Sequence, residues 1–215
     1  MPRLINEMTS EELRLAVADK YGEVAADPNG RHPFPVGRVF AESLGYAPDI
    51  LDALPPTAVS SFAGISNPLA HADLQPGETV LDLGCGAGMD SILAAWQVGP
   101  AGHVHGLDLS TEMVASARAN ARAAGVDNIT FHQAPAEDAP LDDASVDVVI
   151  VNGIFNLCPA KEPVMNEVHR LLRPGGRLLA SEIVFWEAGG EILAGAACDL
   201  GGAGLRGLTL DNWFQ

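Results

Sequence analysis

The residues best suited to chemistry begin at Val80, where VLDLGCGAG runs an apolar strand with Asp82 near its end straight into Gly84, Gly86 and Gly88. Glycine has no Cβ and tolerates positive φ, so such a loop lets a ligand come close to the backbone. The spacing is GxGxG, not the GxGxxG of dinucleotide loops, in which a helix N-terminus is aimed at a pyrophosphate. A turn of this kind behind an acidic residue suits the amino-acid part of a zwitterionic ligand. Asp108 lies 20 residues beyond Gly88 and closes HVHGLD, a position from which a carboxylate accepts both hydroxyls of a ribose. Nicotinamide enzymes share that feature, which leaves an oxidoreductase as one alternative. Downstream, DLSTEMVASARANA sets Ser110 as a helix cap with Met113 in the first turn.

These segments, followed by HQAPAEDAPLDDASVDVVIVNGIFNL and LLRPGGRLLASEIV, occur in order from about Asn67 to Val184. In that order they resemble class I S-adenosylmethionine-dependent methyltransferases. The resemblance implies S-adenosylmethionine as cofactor, S-adenosylhomocysteine as product and an SN2 displacement at the sulfonium methyl carbon. It also implies roles for individual residues. Asp82, Gly84, Gly86 and Gly88 would hold the methionine portion and Asp108 the ribose, with its neighbour Leu109 also against the cofactor. Met113 would pack on the adenine, which the turn from Ala134 to Asp138 would hold through the Ala136 backbone with Glu137 nearby; Pro135 stands where the family often has an acid. Asn152 would face the methionine end, and Tyr21 would lie near the cofactor.

A closer resemblance is to the arsenite methyltransferase branch, through YGEVA, ESLGY, SNPLAHADLQPGETVLDLGCGAGMD and VNGIFNLCPAKEPVMNEVHRLLRPGGRL. That branch binds trivalent arsenic through cysteine thiolates, soft ligands for a soft metalloid. Three positions at which it carries cysteine read otherwise here: SFAGIS before Asn67, GIFN around Phe155, and EILAG around Ile192. Cys158 and Cys198 lie a few residues from two of those positions and offer a displaced thiolate pair. A free cysteine is more often a small buried hydrophobe, and Cys85 reads as a small side chain beside the cofactor. The expected acceptor is therefore a small organic molecule. The alternatives are a metalloid methyltransferase using Cys158 and Cys198, and a non-catalytic S-adenosylmethionine-binding protein. Histidine is a possible base type, with His71 and His32 best placed, but no catalytic residue stands out and no metal site is expected.

The elements that must position these groups follow from the hydrophobic pattern. Strands are expected at Thr79 to Leu83, His103 to Asp108, Ile129 to Gln133, Val146 to Asn152 and Arg177 to Glu182. Helices are expected at Met89 to Val98, Thr111 to Ala124 and Lys161 to Leu172. This alternation predicts an α/β, Rossmann-like, mostly parallel doubly wound sheet with its ligand beyond the carboxyl ends of the strands. Thr9 and Glu12 have capping-box spacing, and Leu13, Val17 and Tyr21 recur on one face, predicting a helix from Ser10 to Ala25. Short helices are expected over Val36 to Leu44 and Ala47 to Leu54, so that residues 1–70 form a helical accessory segment on the substrate side and 71–215 the cofactor-binding domain. After Val184, helix-forming residues run from Glu191 to Leu200 and no convincing further strand follows. This predicts a shortened C-terminal end with a bare sheet edge, and hence a homodimer.

With 12 Lys and Arg against 28 Asp and Glu, the formal charge of −16 repels phosphate backbones and anionic membranes, so neither nucleic acid nor membrane is an expected partner. Three cysteines without CxxC spacing, and no apolar leader, point to a reducing cytoplasm.

Overall fold

The capping box read at Thr9 and Glu12 is formed in the computed structural model, which describes residues 9–188 and 191–199. The Thr9 hydroxyl accepts from the Glu12 N–H at 3.2 Å, and the Glu12 carboxylate accepts from the Thr9 N–H at 2.8 Å. The helix so started, α1, covers Ser10–Ala26. Three short helices follow, α2 (Arg38–Ser43), α3 (Pro48–Ala53) and α4 (Pro56–Ser60), then a single turn, α5 (Leu69–Ala72). The sequence pattern foresaw α2 and α3. It passed over α4, where Pro56 occupies a helix start that suits its fixed φ.

From residue 79 the chain alternates strand and helix: β1 (Thr79–Leu83), α6 (Met89–Val98), β2 (His103–Asp108), α7 (Thr111–Ala123), β3 (Ile129–Gln133), β4 (Val146–Asn152), a 3₁₀ turn (Phe155–Leu157), α8 (Lys161–Leu171), β5 (Leu172–Ala188) and β6 (Glu191–Asp199). The sheet order is β3-β2-β1-β4-β5-β6, with the first five strands parallel and β6 antiparallel to β5. The chain moves outward from β1 through β2 to β3, then returns to β4 on the other side. The crevice therefore opens between the carboxyl ends of β1 and β4, the topological switch point.

Strand residues alternate between two cores. Val80, Val104, Val148 and Ile150 face α6 and α7, in one cluster with Tyr46, Leu51 and Phe62 of the N-terminal segment. Leu81, Leu83, Val149 and Val151 face the other way, onto Val164, Val168 and Leu171 of α8. Helices α2 to α5 therefore share the main core, while α1 packs through Val24 on a smaller cluster with Ala87 and Met113.

Two expectations about the C-terminal part are corrected. Glu191 to Leu200 was expected to be helical, but Glu191–Asp199 is strand β6, paired along β5 from Ala188↔Glu191 to Leu179↔Asp199 with one register shift. An alanine-rich segment has weak strand preference of its own, and an unpaired edge of backbone N–H and C=O groups supplies the rest. The bare β5 edge that motivated a homodimer is thereby filled. Strand β5 is also longer than the expected Arg177 to Glu182.

Candidate functional site

The loop leaving β1 is shaped by positive φ at each of its glycines, +82° at Gly84, +52° at Gly86 and +86° at Gly88. Gly84 and Cys85 donate their N–H groups to the Leu107 carbonyl at 2.8 and 2.9 Å, tying the loop to the end of β2. A Cβ on Gly84 would stand 2.1 Å from the Ile154 side chain, so this position is closed to any other residue without a shift. Asp108 then secures the turn: its carboxylate accepts from the Gly86 N–H at 2.8 Å and from the Ser110 N–H at 2.9 Å. Behind the loop, the buried Asn120 donates to the Ala87 carbonyl at 2.9 Å.

The loop forms one wall of a cleft of about 1070 Å³, its open mouth included, at the carboxyl ends of β1, β2 and β4. Of the residues singled out from the sequence, Tyr21, Asp82, Gly84, Gly86, Asp108, Leu109, Ala136, Glu137 and Asn152 all line it. Gly88 and Met113 do not. Gly88 is buried where a Cβ would stand 3.1 Å from that of Ala117, and its role is to let α6 and α7 approach. Met113 is 1% exposed, packed with Val24 and Ala87 beneath the loop. A residue in the first turn of α7 thus supports the cofactor loop from behind and does not face the cleft.

The opposite wall comes largely from residues that sequence reasoning missed: Arg14, Val17 and Ala18 on α1, Phe62 to Gly64 ahead of α5, and Ile154, Leu157 and Pro159 after β4, beside the Cys158 already singled out. Long-range contacts bring them here, and the face shared by Leu13, Val17 and Tyr21 was the one available signal. Tyr21 stacks on Phe34 with ring centres 5.2 Å apart. Burial, with the charges of Asp108 and Glu182, pushes the Tyr21 phenol up to about 12, so it stays protonated. Arg14 forms an ion pair with Glu137 across the mouth. The 134–145 loop carrying Ala136 is held by Arg170, which donates to the Ala139 and Leu141 carbonyls at 3.1 and 2.8 Å.

Asn152 uses all of its side-chain polarity. Its Oδ1 accepts from the N–H groups of Ile65 and Ser66 at 2.8 and 3.1 Å, and its Nδ2 donates to the Ser66 carbonyl at 2.9 Å and to Asp90 at 3.0 Å. Asp90, in the first turn of α6, also accepts from the Tyr46 hydroxyl at 2.6 Å. Asp82 accepts from the Ser91 hydroxyl at 2.5 Å. Burial and the charge of Asp90 push Asp82 up to about 8. Burial also raises Asp90 and Asp108, against the hydrogen bonds each accepts. Glu182, deeper on β5, accepts from the Asn156 N–H at 2.8 Å and is pushed up to about 7 by burial. Among the described residues the cleft lining is acidic, and its one cation, Arg14, is engaged by Glu137.

Residues 74–199 match the family described as methyltransferase domain. The chain belongs to that family. An arsenite methyltransferase from Halobacterium salinarum is 44% identical over 144 residues, covering 67% of this chain and 37% of that protein. A demethylmenaquinone methyltransferase from Listeria welshimeri is 36% identical over 105 residues, 49% of this chain and 44% of its own. A solved arsenic(III) S-adenosylmethionine methyltransferase from Chlamydomonas reinhardtii superposes with a TM-score of 0.54 at 33% identity, covering 70% of this chain and 50% of that one. The chain thus spans between 37% and 50% of the length of these relatives.

Membership of this methyltransferase family displaces the nicotinamide alternative and bears out the resemblance to the arsenite branch. S-adenosylmethionine is the cofactor that goes with the fold, and the cleft suits it: a glycine cradle closed to side chains, a carboxylate at the end of β2, and an acidic floor for a cationic ligand. Among the described residues no helix is long and apolar enough to cross a membrane, and no group of three or more His, Cys, Asp or Glu is arranged to hold a metal ion. Cys85 is buried and Cys158 partly buried in the cleft lining. The Cys198 backbone sits in β6 opposite Ala180, and its side chain lies outside the described residues.

Proposed function

We propose that this chain is an S-adenosylmethionine-dependent methyltransferase domain acting on a small-molecule acceptor. The observation that carries the reading is Asp108, which ends β2 in the same cleft as the glycine loop and is bonded to the loop's own Gly86 N–H. Bound there, S-adenosylmethionine supplies a sulfonium methyl carbon open to in-line attack. Transfer would form the acceptor–carbon bond while the carbon–sulfur pair stayed on sulfur as S-adenosylhomocysteine, and a proton carried by the acceptor atom would pass to solvent.

The protein's part is to bind and orient. Asp108 accepts the ribose hydroxyls through lone pairs left over from its two backbone bonds. Gly84 and Gly86 admit the methionine portion, with Asp82 below it and Asn152 holding the facing segment. Leu109 and the Ala136 backbone flank the adenine, while Glu137 is steadied by Arg14. Met113 acts indirectly, by supporting the loop at Ala87. Phe62, Ile154, Leu157 and Pro159 give the acceptor an apolar wall that excludes water. An aligned nucleophile gains on the order of 7–11 kcal/mol from proximity and orientation, so the absence of an evident general base among the described residues does not count heavily against catalysis.

A second reading, a metalloid acceptor, is supported by the arsenite relatives and by Cys158 in the cleft wall. Burial pushes that thiol up to about 11, so it would enter metalloid binding as a thiol and lose its proton on coordination. Radiolabelled S-adenosylmethionine screened against organic acceptors and arsenite separates the two. Turnover on arsenite that Cys158→Ser abolishes favours the metalloid. Cofactor binding without turnover on any acceptor would leave a non-catalytic binding protein.

A further inference from the structure

We propose that Asp82 and Asp90 form one unit that shares a single proton in the ligand-free cleft and releases it when a cationic ligand enters, so that cofactor affinity rises with pH. The inference rests on the cofactor reading above and adds Asp90 and Tyr46 to the residues that set the site's preference for positive charge.

Asp82 lies on β1 and Asp90 in the first turn of α6, and Ser91 of that same turn ties the helix start to Asp82. Both carboxylates are buried, Asp82 2% exposed and Asp90 6%. Among the described residues, the groups facing them from the packed elements are acidic or neutral. The end of β2 brings Asp108, the loop brings the Cys85 thiol, α1 brings the Tyr21 phenol, β4 brings Asn152, and Tyr46 donates its hydroxyl. Arg14, the cation in the lining, is engaged by Glu137. The helix N-terminus offers only about half a positive charge, so two buried carboxylates with no counter-cation keep one proton between them. Tyr46 and Asn152 each give Asp90 a hydrogen bond that favours its ionised form, and Ser91 does the same for Asp82, so the proton belongs to the pair rather than to either carboxylate alone. This agrees with Asp82 being pushed up to about 8. A ligand bearing one positive charge replaces that proton, the proton passes to solvent, and the net charge of the site is unchanged.

The test is calorimetric titration of S-adenosylmethionine into the full chain at about pH 6, 7 and 8, each in phosphate and in Tris, whose ionisation heats differ. Release of up to about one proton per ligand is expected, with affinity rising by as much as about tenfold per pH unit below pH 8. Asp90→Asn should cut the release to less than about half. Tyr46→Phe retains both carboxylates and should move the end of the release to higher pH, and thermal melts check that each variant is folded. Tight binding with buffer-independent heat and flat affinity from about pH 6 to 8 overturns this inference and leaves the cofactor reading intact. Absence of binding at every pH overturns both.

Discussion

The two walls of the cleft are built on different principles. The cofactor wall is backbone held from close by: Gly84 and Cys85 on the Leu107 carbonyl, Gly86 on the Asp108 carboxylate, Ala87 on the Asn120 amide. The covering wall is side chains carried on separate elements, α1, the segment around Phe62 to Ser66 and the stretch after β4. It is tied together at a few points, chiefly Asn152 and the Arg14–Glu137 pair. A local turn can be specified by a short run of residues, whereas a covering wall depends on packing between distant parts of the chain. Substitutions in the first wall should therefore be severe and local, and those in the second mild and spread over binding kinetics.

The largest effect is expected from Asp108→Ala, which removes the proposed ribose acceptor and leaves two backbone donors without it. Hydrogen bonds to a charged group are worth about 1.5–3 kcal/mol, so calorimetry should find cofactor affinity reduced by about 10- to 100-fold; unchanged affinity would sink the assignment. Next comes Gly84→Ala, where a positive φ and a Cβ 2.1 Å from Ile154 act together. Urea unfolding should register a loss of about 2–3 kcal/mol. Gly125→Ala, at φ +66° with nothing within 4 Å of the added carbon, should cost only about 1 kcal/mol. Equal costs would show that the cradle at Gly84 is not sterically closed.

Stability against pH gives an intermediate effect with a definite sign. Asp82 and Glu182 have folded pKa values of about 8 and 7, above those of free carboxylates. Their contribution is fully present below about pH 4 and is lost as pH rises through 7 and 8. His105, lowered to about 4 by burial and by His103 and His132, acts in the other direction. The unfolded chain takes up its proton first, so stability falls as pH drops from about 6.5 to 4. Melting temperature against pH should therefore fall on the alkaline side in ligand-free protein, and saturating S-adenosylmethionine should flatten that limb. An alkaline limb unmoved by cofactor would count against an acidic, charge-sensing floor. The smallest effect belongs to Arg14→Ala: a partly exposed ion pair is worth roughly 1 kcal/mol or less. KM for the cofactor should rise by about two- to fivefold with kcat unchanged. A fall in kcat of similar size would give the covering wall a part in the chemical step.

The same contrast explains what could be read from the residues alone. Strands β1 to β4 and helix α6 start and end where the apolar runs and glycines predict, and Asp108 and the glycine loop stand together as expected. Gly88 and Met113 were given cofactor roles because a motif fixes the order of residues and not which side of the loop each faces; both lie behind it. Asp90 and Tyr46 stand in the segments GAGMD and ESLGY that carry the resemblance, yet neither was given a role, since their importance comes from meeting each other across 44 residues. Strand β6 was read as helix because its alanines favour that in isolation, and the pairing edge of β5 that decides the matter is invisible in a local window.

The hydrogen bonds of Asn152 also bear on how a ligand comes and goes. Two backbone N–H groups and one carbonyl of residues 65 and 66 are clamped by that one amide at the end of a central strand, so the segment and β4 behave as a single body. Opening from that side would expose several buried polar groups at once. Helix α1 rests on apolar contacts and a partly exposed ion pair, so swinging it aside costs less. Exchange of S-adenosylhomocysteine for fresh cofactor should then pass under α1. The amides of α1 should take up deuterium well before those of Ile65 and Ser66, and the dwell time of the product should track the stability of the first helix more closely than that of the sheet.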